Sequence, residues 1–264
     1  VMGELADVTE TLSRGLHPAY VLPVLAGLAL AVLFPSGRTF TDPAVRRRYQ
    51  GLQLATLIGA LIGAKVAAII GDLRWPIEPI ESPAALFATG RSITGGLLFG
   101  FLTAELLKPV FGHREPPNDR FAAVLPFSIA IGRLGCWFAG CCNGLPTESA
   151  LGLPDEHGVL RYPTALFDLA FHLVLGVIFV VLLRRGVLRG RLFAIHLVAY
   201  GVFRFGVEPL RDSREYLFSF SAYQLFALAM IACGVFGFLR RLPAPQTAST
   251  TERSDDVRAS TAAA

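Results

Sequence analysis

Seven separate stretches of this chain are apolar over close to the length a helix needs to cross a bilayer: 18–35, 51–71, 92–111, 121–141, 163–183, 192–210 and 222–239. Crossing the hydrocarbon core takes roughly 20 mostly apolar residues. A soluble protein of 264 residues can bury a full core, but it has no need of apolar runs this long, and seven would have to arise by coincidence. Composition agrees. The chain is 53% hydrophobic and only 17% charged, where soluble domains carry about a quarter charged residues, and its mean hydropathy is +0.53. The expected fold is all-α: a polytopic membrane protein with seven transmembrane helices over 18–241, an outer segment at 1–17 and a tail at 242–264. The tail is Ala, Ser, Thr and charged residues without periodicity and reads as disordered cytoplasmic chain. No fixed-period repeat is present.

Charge placement orients the bundle. Lys and Arg collect in short cytoplasmic loops. Here Arg38, Arg46, Arg47 and Arg48 follow the first stretch, and Lys108, Arg114 and Arg120 follow the third. Arg184, Arg185, Arg189 and Arg191 follow the fifth, and Arg240 and Arg241 the seventh. The alternate loops are mixed or acidic, with Asp72, Glu78 and Glu81 in one and Glu148, Asp155 and Glu156 in another. The N-terminus is therefore expected outside and the C-terminus in the cytoplasm. The net charge of +4 reflects this topology; no basic face interleaved with aromatics points to nucleic acid. The first stretch is preceded by Glu4, Asp7 and Glu10 and has no clear small-x-small site after it, so it reads as a structural helix and not a cleaved signal.

Ionisable residues inside such segments cost roughly 2.5–3.5 kcal/mol each at mid-depth, which makes them functional candidates by default. They are Lys65, Glu105, Arg133, Asp168, His172, His196, Arg204 and Glu208. With the orientation above, Asp168 lies about 7–8 Å below the start of its segment at 1.5 Å per residue. Lys65, Arg133, Arg204 and Glu208 fall in outer halves, so five charged groups from four helices converge on the outer leaflet. Arg204 and Glu208 are four apart and can pair. Three cations against two acids leave a positive excess suited to an anionic partner, and lipid phosphate, which guanidinium groups grip bidentately, is the nearest. Glu105 and Lys108 read as a local pair. His172 and His196 read as packed, hydrogen-bonded core histidines.

Ordered blocks along the chain then resemble one family. IGRLGCWFAGCCNGLPT at 131–147 resembles the G-R-x-G-N-F signature of bacterial prolipoprotein diacylglyceryl transferases. Gly63-Ala64-Lys65 resembles its G-A-R, and Ser82-Pro83 with Ser92-Ile93-Thr94-Gly95-Gly96-Leu97 its S-F-H-G-G-L. Arg161-Tyr162-Pro163-Thr164-Ala165-Leu166-Phe167-Asp168 is similar to R-H-P-T-Q-L-Y-E, and Tyr200 to Glu208 matches Y-G-x-x-R-F-x-x-E. Ser219 to Gln224 resembles a final L-S-x-x-Q element. The resemblance implies a seven-helix enzyme of the bacterial cytoplasmic (inner) membrane. It would move the diacylglyceryl group of phosphatidylglycerol to the lipobox cysteine of a prolipoprotein signal peptide, releasing glycerol phosphate and using no cofactor or metal. It implies Arg133, Arg204, Glu208 and Tyr200 as catalytic residues. Lys65, Thr94, Gly95, Gly96, Gly135, Gly144, Tyr162 and Asp168 would contact substrate.

The departures from the pattern are as informative. Thr94 stands where the family keeps a histidine, and a threonine hydroxyl is no base near neutral pH. Cys136 and Cys141 replace the signature's asparagine and acid, Tyr162 replaces a histidine, and Lys65 replaces an arginine, giving a point charge in place of a planar fork. Glu208 and Asp168 are the substitute bases. Cys136, Cys141 and Cys142 read as small packing residues, a Cys136–Cys141 disulfide, or, for Cys141 or Cys142, a nucleophile; no second cluster completes a zinc site. Two other readings of the chain are transfer of a lipid-derived group to a different acceptor, and a non-catalytic lipid-binding or transport protein.

Overall fold

The computed structural model describes residues 18–33, 42–72, 90–140, 142–211, 213, 215–217 and 220–240. Seven α-helices lie among them: α1 (Pro18–Leu33), α2 (Pro43–Asp72), α3 (Ile93–Leu107), α4 (Asp119–Phe138), α5 (Thr164–Arg185), α6 (Leu192–Val207) and α7 (Ala222–Leu239). Each covers one of the apolar stretches. Short antiparallel pairs, β1 (Leu153–Pro154) with β2 (Leu160–Arg161) and β3 (Glu215–Leu217) with β4 (Phe220–Ser221), decorate the links after α4 and α6. Five helices, α2, α4, α5, α6 and α7, are long and apolar enough to span a membrane; α1 and α3 are apolar but shorter. The segments 1–17 and 242–264, Ser82, Pro83, Ser219 and Cys141 lie outside the described residues.

The surface is that of a protein dissolved in lipid. Leu54, Ile58, Leu61 and Ile62 on α2, and Val174, Val177, Ile178 and Val181 on α5, are all exposed, while Arg133, Asp168, Arg204 and Glu208 are buried. That inversion is stable only where the solvent is hydrocarbon. The chain is a mostly helical, multi-pass membrane protein.

Close packing builds three groups. α2 pairs with α3, and α6 with α7; α4 packs against both α1 and α5. Small residues set these approaches, as expected where helices associate without a hydrophobic drive. A Cβ on Gly95 would collide with Ala67 Cβ and the Gly63 carbonyl oxygen of α2, and Ser128 of α4 donates to the Gly27 carbonyl of α1 at 2.5 Å. Between the groups sits an apolar core that includes Leu97, Phe101, Phe179, Phe193, Leu197 and Met230.

Helix ends follow local chemistry. Ser92 caps α3, accepting from Gly95 N–H at 3.2 Å, and Ser221 with Gln224 forms a capping box on α7. α6 is capped from another helix: Asp119 at the start of α4 accepts from the Gly190 and Leu192 amides at 2.5 and 3.4 Å. α5 stops at Gly186, whose φ of 65° needs a residue without a Cβ.

Three expectations need correction. Arg46, Arg47 and Arg48 do not sit in a loop: α2 begins at Pro43, with the Asp42 side chain accepting from Ala44 N–H at 2.7 Å, because these arginines are good helix formers that an apolar pattern cannot register. The sixth segment changes to a 3-10 turn over Glu208–Leu210, where Pro209 cannot continue an α-helical ladder. His196 is packed but not hydrogen-bonded: both its ring nitrogens lack a partner among the described residues. The Glu105–Lys108 pair forms at 2.5 Å, and Arg240 at the end of α7 joins it through Glu105.

Candidate active site

The buried polar residues of α6 and of the 3-10 turn that follows it fall four apart. His196, Tyr200, Arg204 and Glu208 occupy one face and are 0%, 0%, 5% and 3% exposed. A helix repeats its facing every 3.6 residues, so this spacing writes a polar stripe down an otherwise apolar helix. α5 answers with Asp168 and His172, also four apart and buried, and α4 with Arg133.

Two ion pairs organise the site. Arg133 Nη2 meets Asp168 Oδ2 at 2.5 Å across the α4–α5 contact. Arg204 Nη1 of α6 pairs with Glu208 Oε2 of the 3-10 turn that follows it. The other Glu208 oxygen, Oε1, accepts from Ser221 Oγ at 2.8 Å, which ties the pair to the capping residue of α7. Tyr223 on the first turn of α7 lies with its ring 5.2 Å from the Arg204 guanidinium, a cation–π contact. The same ring packs on α2, where a Cβ on Gly71 would meet its hydroxyl at 2.6 Å. Tyr200 stands between the two pairs. Its hydroxyl lies in the field of Asp168, Arg133 and Arg204, near enough to Arg133 to interact but without hydrogen-bond geometry.

The link after α4 wraps over this cluster. Gly140 and Cys142 adopt left-handed φ angles of 63° and 64°, turning the chain back. Cys142 Sγ then lies 3.8 Å and Cys136 Sγ 3.9 Å from Arg133 Nη1. Neither thiol is in a disulfide. Thr164 Oγ1 donates to the Cys142 carbonyl at 2.6 Å and accepts from Arg211 Nη1 at 3.0 Å. Arg211 also forms a backbone bridge with Gly144, whose amide donates to the Tyr162 carbonyl at 2.8 Å. Thus Gly144 and Tyr162 belong to a backbone mesh roofing the arginines, and Gly144 has no room for a side chain: a Cβ would meet Tyr162 at 2.9 Å.

Further out, a cleft is lined by Trp137, Phe138, Asn143, Asp155, Glu156 and Arg161. Arg161 Nε donates to Asp155 Oδ2 at 2.8 Å, and that contact holds the Asp155 carboxyl below its ordinary range.

The structure therefore brings Arg133, Asp168, Tyr200, Arg204 and Glu208 together, with Gly144 and Tyr162 above. Gly135 is buried in α4 between Arg133 and Cys136. Lys65, half-buried on α2, and Thr94, Gly95 and Gly96 on α3 belong to the α2–α3 pair, which reaches this cluster through α6 and α7. Sequence reasoning did not single out Arg211 or Thr164. Arg211 was visible as a cation three residues beyond Glu208 at a Pro-broken helix end; its charge acts on Arg204. With it, three guanidinium groups meet two carboxylates, a net positive charge in a low-dielectric setting.

Guanidinium groups held by buried carboxylates inside a multi-pass helical bundle, with a tyrosine between them, define a membrane protein with a buried, net cationic site. The chain belongs to the prolipoprotein diacylglyceryl transferase family, whose model matches residues 17–240. It is 27% identical over 229 residues to a phosphatidylglycerol–prolipoprotein diacylglyceryl transferase of Clostridium tetani, covering 83% of this chain and 91% of that one. It is 30% identical over 206 residues to the enzyme so named of Cutibacterium acnes, covering 73% of this chain and 70% of that one. With that of Thermotoga maritima it shares 25% over 234 residues, 83% of this chain and 79% of the relative.

Proposed function

We propose that this protein transfers the diacylglyceryl group of phosphatidylglycerol to the lipobox cysteine thiol of a prolipoprotein signal peptide, releasing glycerol phosphate. The relatives named above carry phosphatidylglycerol and prolipoprotein in their names. The observation that carries the reading is the buried pair of ion pairs, Arg133–Asp168 and Arg204–Glu208, flanking Tyr200. In the reaction the cysteine sulfur forms a bond to the terminal glycerol carbon, and the bond from that carbon to the phosphate oxygen breaks with its electrons on the oxygen. Charge thus develops on phosphate, where fixed guanidinium groups in a dry site stabilise the transition state more than the ground state. Asp168 and Glu208 hold the arginines in place before lipid arrives, so little reorganisation accompanies the reaction. No step calls on a cofactor or metal.

The loop charges support seven spans with the N-terminus outside and the C-terminus cytoplasmic, in a bacterial cytoplasmic membrane. In that orientation the arginine cluster lies in the outer leaflet, where a signal peptide emerging from translocation presents its cysteine. Lys65, Thr94, Gly95, Gly96, Gly135, Gly144 and Tyr162 form the proposed surroundings of the lipid headgroup, and residues 18–241 the transferase domain.

Complementation tests the reading. In a bacterial strain depleted of its own diacylglyceryl transferase, this gene is expected to restore growth and lipoprotein modification. Arg133→Ala and Arg204→Ala are expected to insert in the membrane and fail. A well-expressed wild-type chain that does not restore modification would turn the assignment toward a different acceptor, as Thr94 in place of the family histidine suggests.

A further inference from the structure

Below Tyr200 the polar stripe continues into the bundle, to two histidines that the ion pairs do not use. His172 and His196 are fully buried, with ring centroids 5.7 Å apart. The tautomer of His172 follows from its contacts. Its Nδ1 lies 2.8 Å from the Asp168 backbone carbonyl. A carbonyl oxygen can only accept, so Nδ1 carries the proton and Nε2 is left with a bare lone pair. No described group donates to that Nε2, and the Tyr200 hydroxyl, a buried donor, also lacks a hydrogen bond. The Tyr200 and His172 rings are in contact, with centroids 4.7 Å apart. Two touching rings thus carry an unanswered base and an unanswered donor in an apolar interior, packed against Phe171 and Phe203, and a proton passed between them in turnover would answer both.

We infer that His172 is a positioning residue that takes up the acceptor thiol's proton through the Tyr200 hydroxyl and returns it to the leaving phosphate. This rests on the transferase reading above and supplies what Thr94 cannot. As the sulfur attacks, its proton moves to the Tyr200 oxygen while the hydroxyl proton moves to His172 Nε2. The sulfur's electron pair forms the bond to glycerol carbon, and the carbon–oxygen pair departs with the phosphate. His172 then returns its proton by way of the same hydroxyl to the phosphate oxygen, and every protein group is restored. Asp168 suits the transient imidazolium: its Oδ1 lies 3.5 Å from Nδ1 and has no other hydrogen bond. The charges and titratable groups facing His172 are Asp168 from its own helix, Arg133 from α4, and His196 and Tyr200 from α6. His196 lies farther from Tyr200, at 6.4 Å between centroids, and takes no part.

The test uses the purified full-length protein in phosphatidylglycerol-containing proteoliposomes. Acceptors are a lipobox peptide with cysteine and the same peptide with selenocysteine, whose selenol ionises without help. His172→Asn keeps an amide donor near the Nδ1 position for the Asp168 carbonyl and removes the base. It is expected to lower transfer to the cysteine peptide at neutral pH by about 100-fold or more, the usual range for a lost general base. The deficit should shrink about tenfold per pH unit as the peptide thiol approaches its own pKa near 8.5, and should vanish with selenocysteine. His196→Phe should leave both rates unchanged. A deficit equal at every pH and for both acceptors would make His172 structural and overturn the relay, as would no deficit. If His172→Asn does not fold, nitrogen chemical shifts of His172 in the wild type decide: the proton on Nδ1 supports the relay, and the proton on Nε2 refutes it. A wild-type protein that transfers nothing sinks the transferase reading and the relay with it; an active one with a uniform deficit sinks the relay alone.

Discussion

Arg133 has two roles that one substitution confuses, since it pairs with Asp168 in the fold and is the proposed phosphate ligand. Consider Arg133→Met, Asp168→Leu and the double variant. The two side chains are 10% and 3% exposed and meet at 2.5 Å, so removing either strands an opposite charge in the bundle. Breaking such a buried pair costs about 3–5 kcal/mol, whereas replacing both members by apolar groups of similar size is often close to neutral. Each single variant should therefore unfold earlier by that amount in a reversible detergent titration. The double variant should recover most of the loss, giving a coupling energy of about 5 kcal/mol or more between the sites. Activity should not recover. A phosphate-binding guanidinium acts in the transition state, and its loss leaves turnover down by about 100-fold or more. A double variant as active as wild type would refute the catalytic assignment of Arg133. Single variants destabilised by less than about 1 kcal/mol would show that the pair is solvated like a surface bridge.

Three further outcomes are expected. Ser221→Ala removes the 2.8 Å donor to Glu208 and the cap of α7, so thermal or denaturant unfolding should show a loss of about 1.5–3 kcal/mol, the range for a hydrogen bond to a charged group. Gly95→Val drives a branched side chain into Ala67 and the Gly63 carbonyl; it should cost about 1–3 kcal/mol or more through overpacking and reduce folded yield in detergent, while the same change at Gly132, which has open space, should be milder. Arg161 holds the Asp155 carboxyl below its ordinary value, so the folded pKa is the lower one. The stabilisation is complete above the ordinary carboxylate pKa of about 4 and is lost as pH falls through the depressed value. Trp137 lines the same cleft, so its fluorescence should change below about pH 4, and Asp155→Asn should abolish that transition.

The helices were legible because hydrocarbon demands long apolar runs, and all seven runs are helical among the described residues. Their ends were less so. Arg46, Arg47 and Arg48 extend α2 by propensity, which hydropathy cannot register. Within the site, Arg204 and Glu208 announced themselves by i, i+4 spacing on one helix. Arg133 and Asp168 were placed at one depth, but their contact depends on how α4 and α5 rotate, which a single sequence does not encode locally. Arg211 escaped because it lies past the helix end and acts through backbone pairing with Gly144 and a bond to Thr164. His172 was read as a hydrogen-bonded core residue; only its carbonyl contact reveals which nitrogen is left basic.

The central claim is that this cluster transfers a diacylglyceryl group to a thiol. The direct measurement is mass spectrometry of a lipobox peptide after incubation with the purified protein and phosphatidylglycerol of defined acyl chains. The account predicts a thioether-linked diacylglyceryl adduct carrying those acyl chains, with glycerol phosphate released in equal amount, and neither product with Arg204→Ala. A folded wild-type protein that binds phosphatidylglycerol yet yields no adduct, or one whose Arg204→Ala variant yields it at the wild-type rate, would contradict the account.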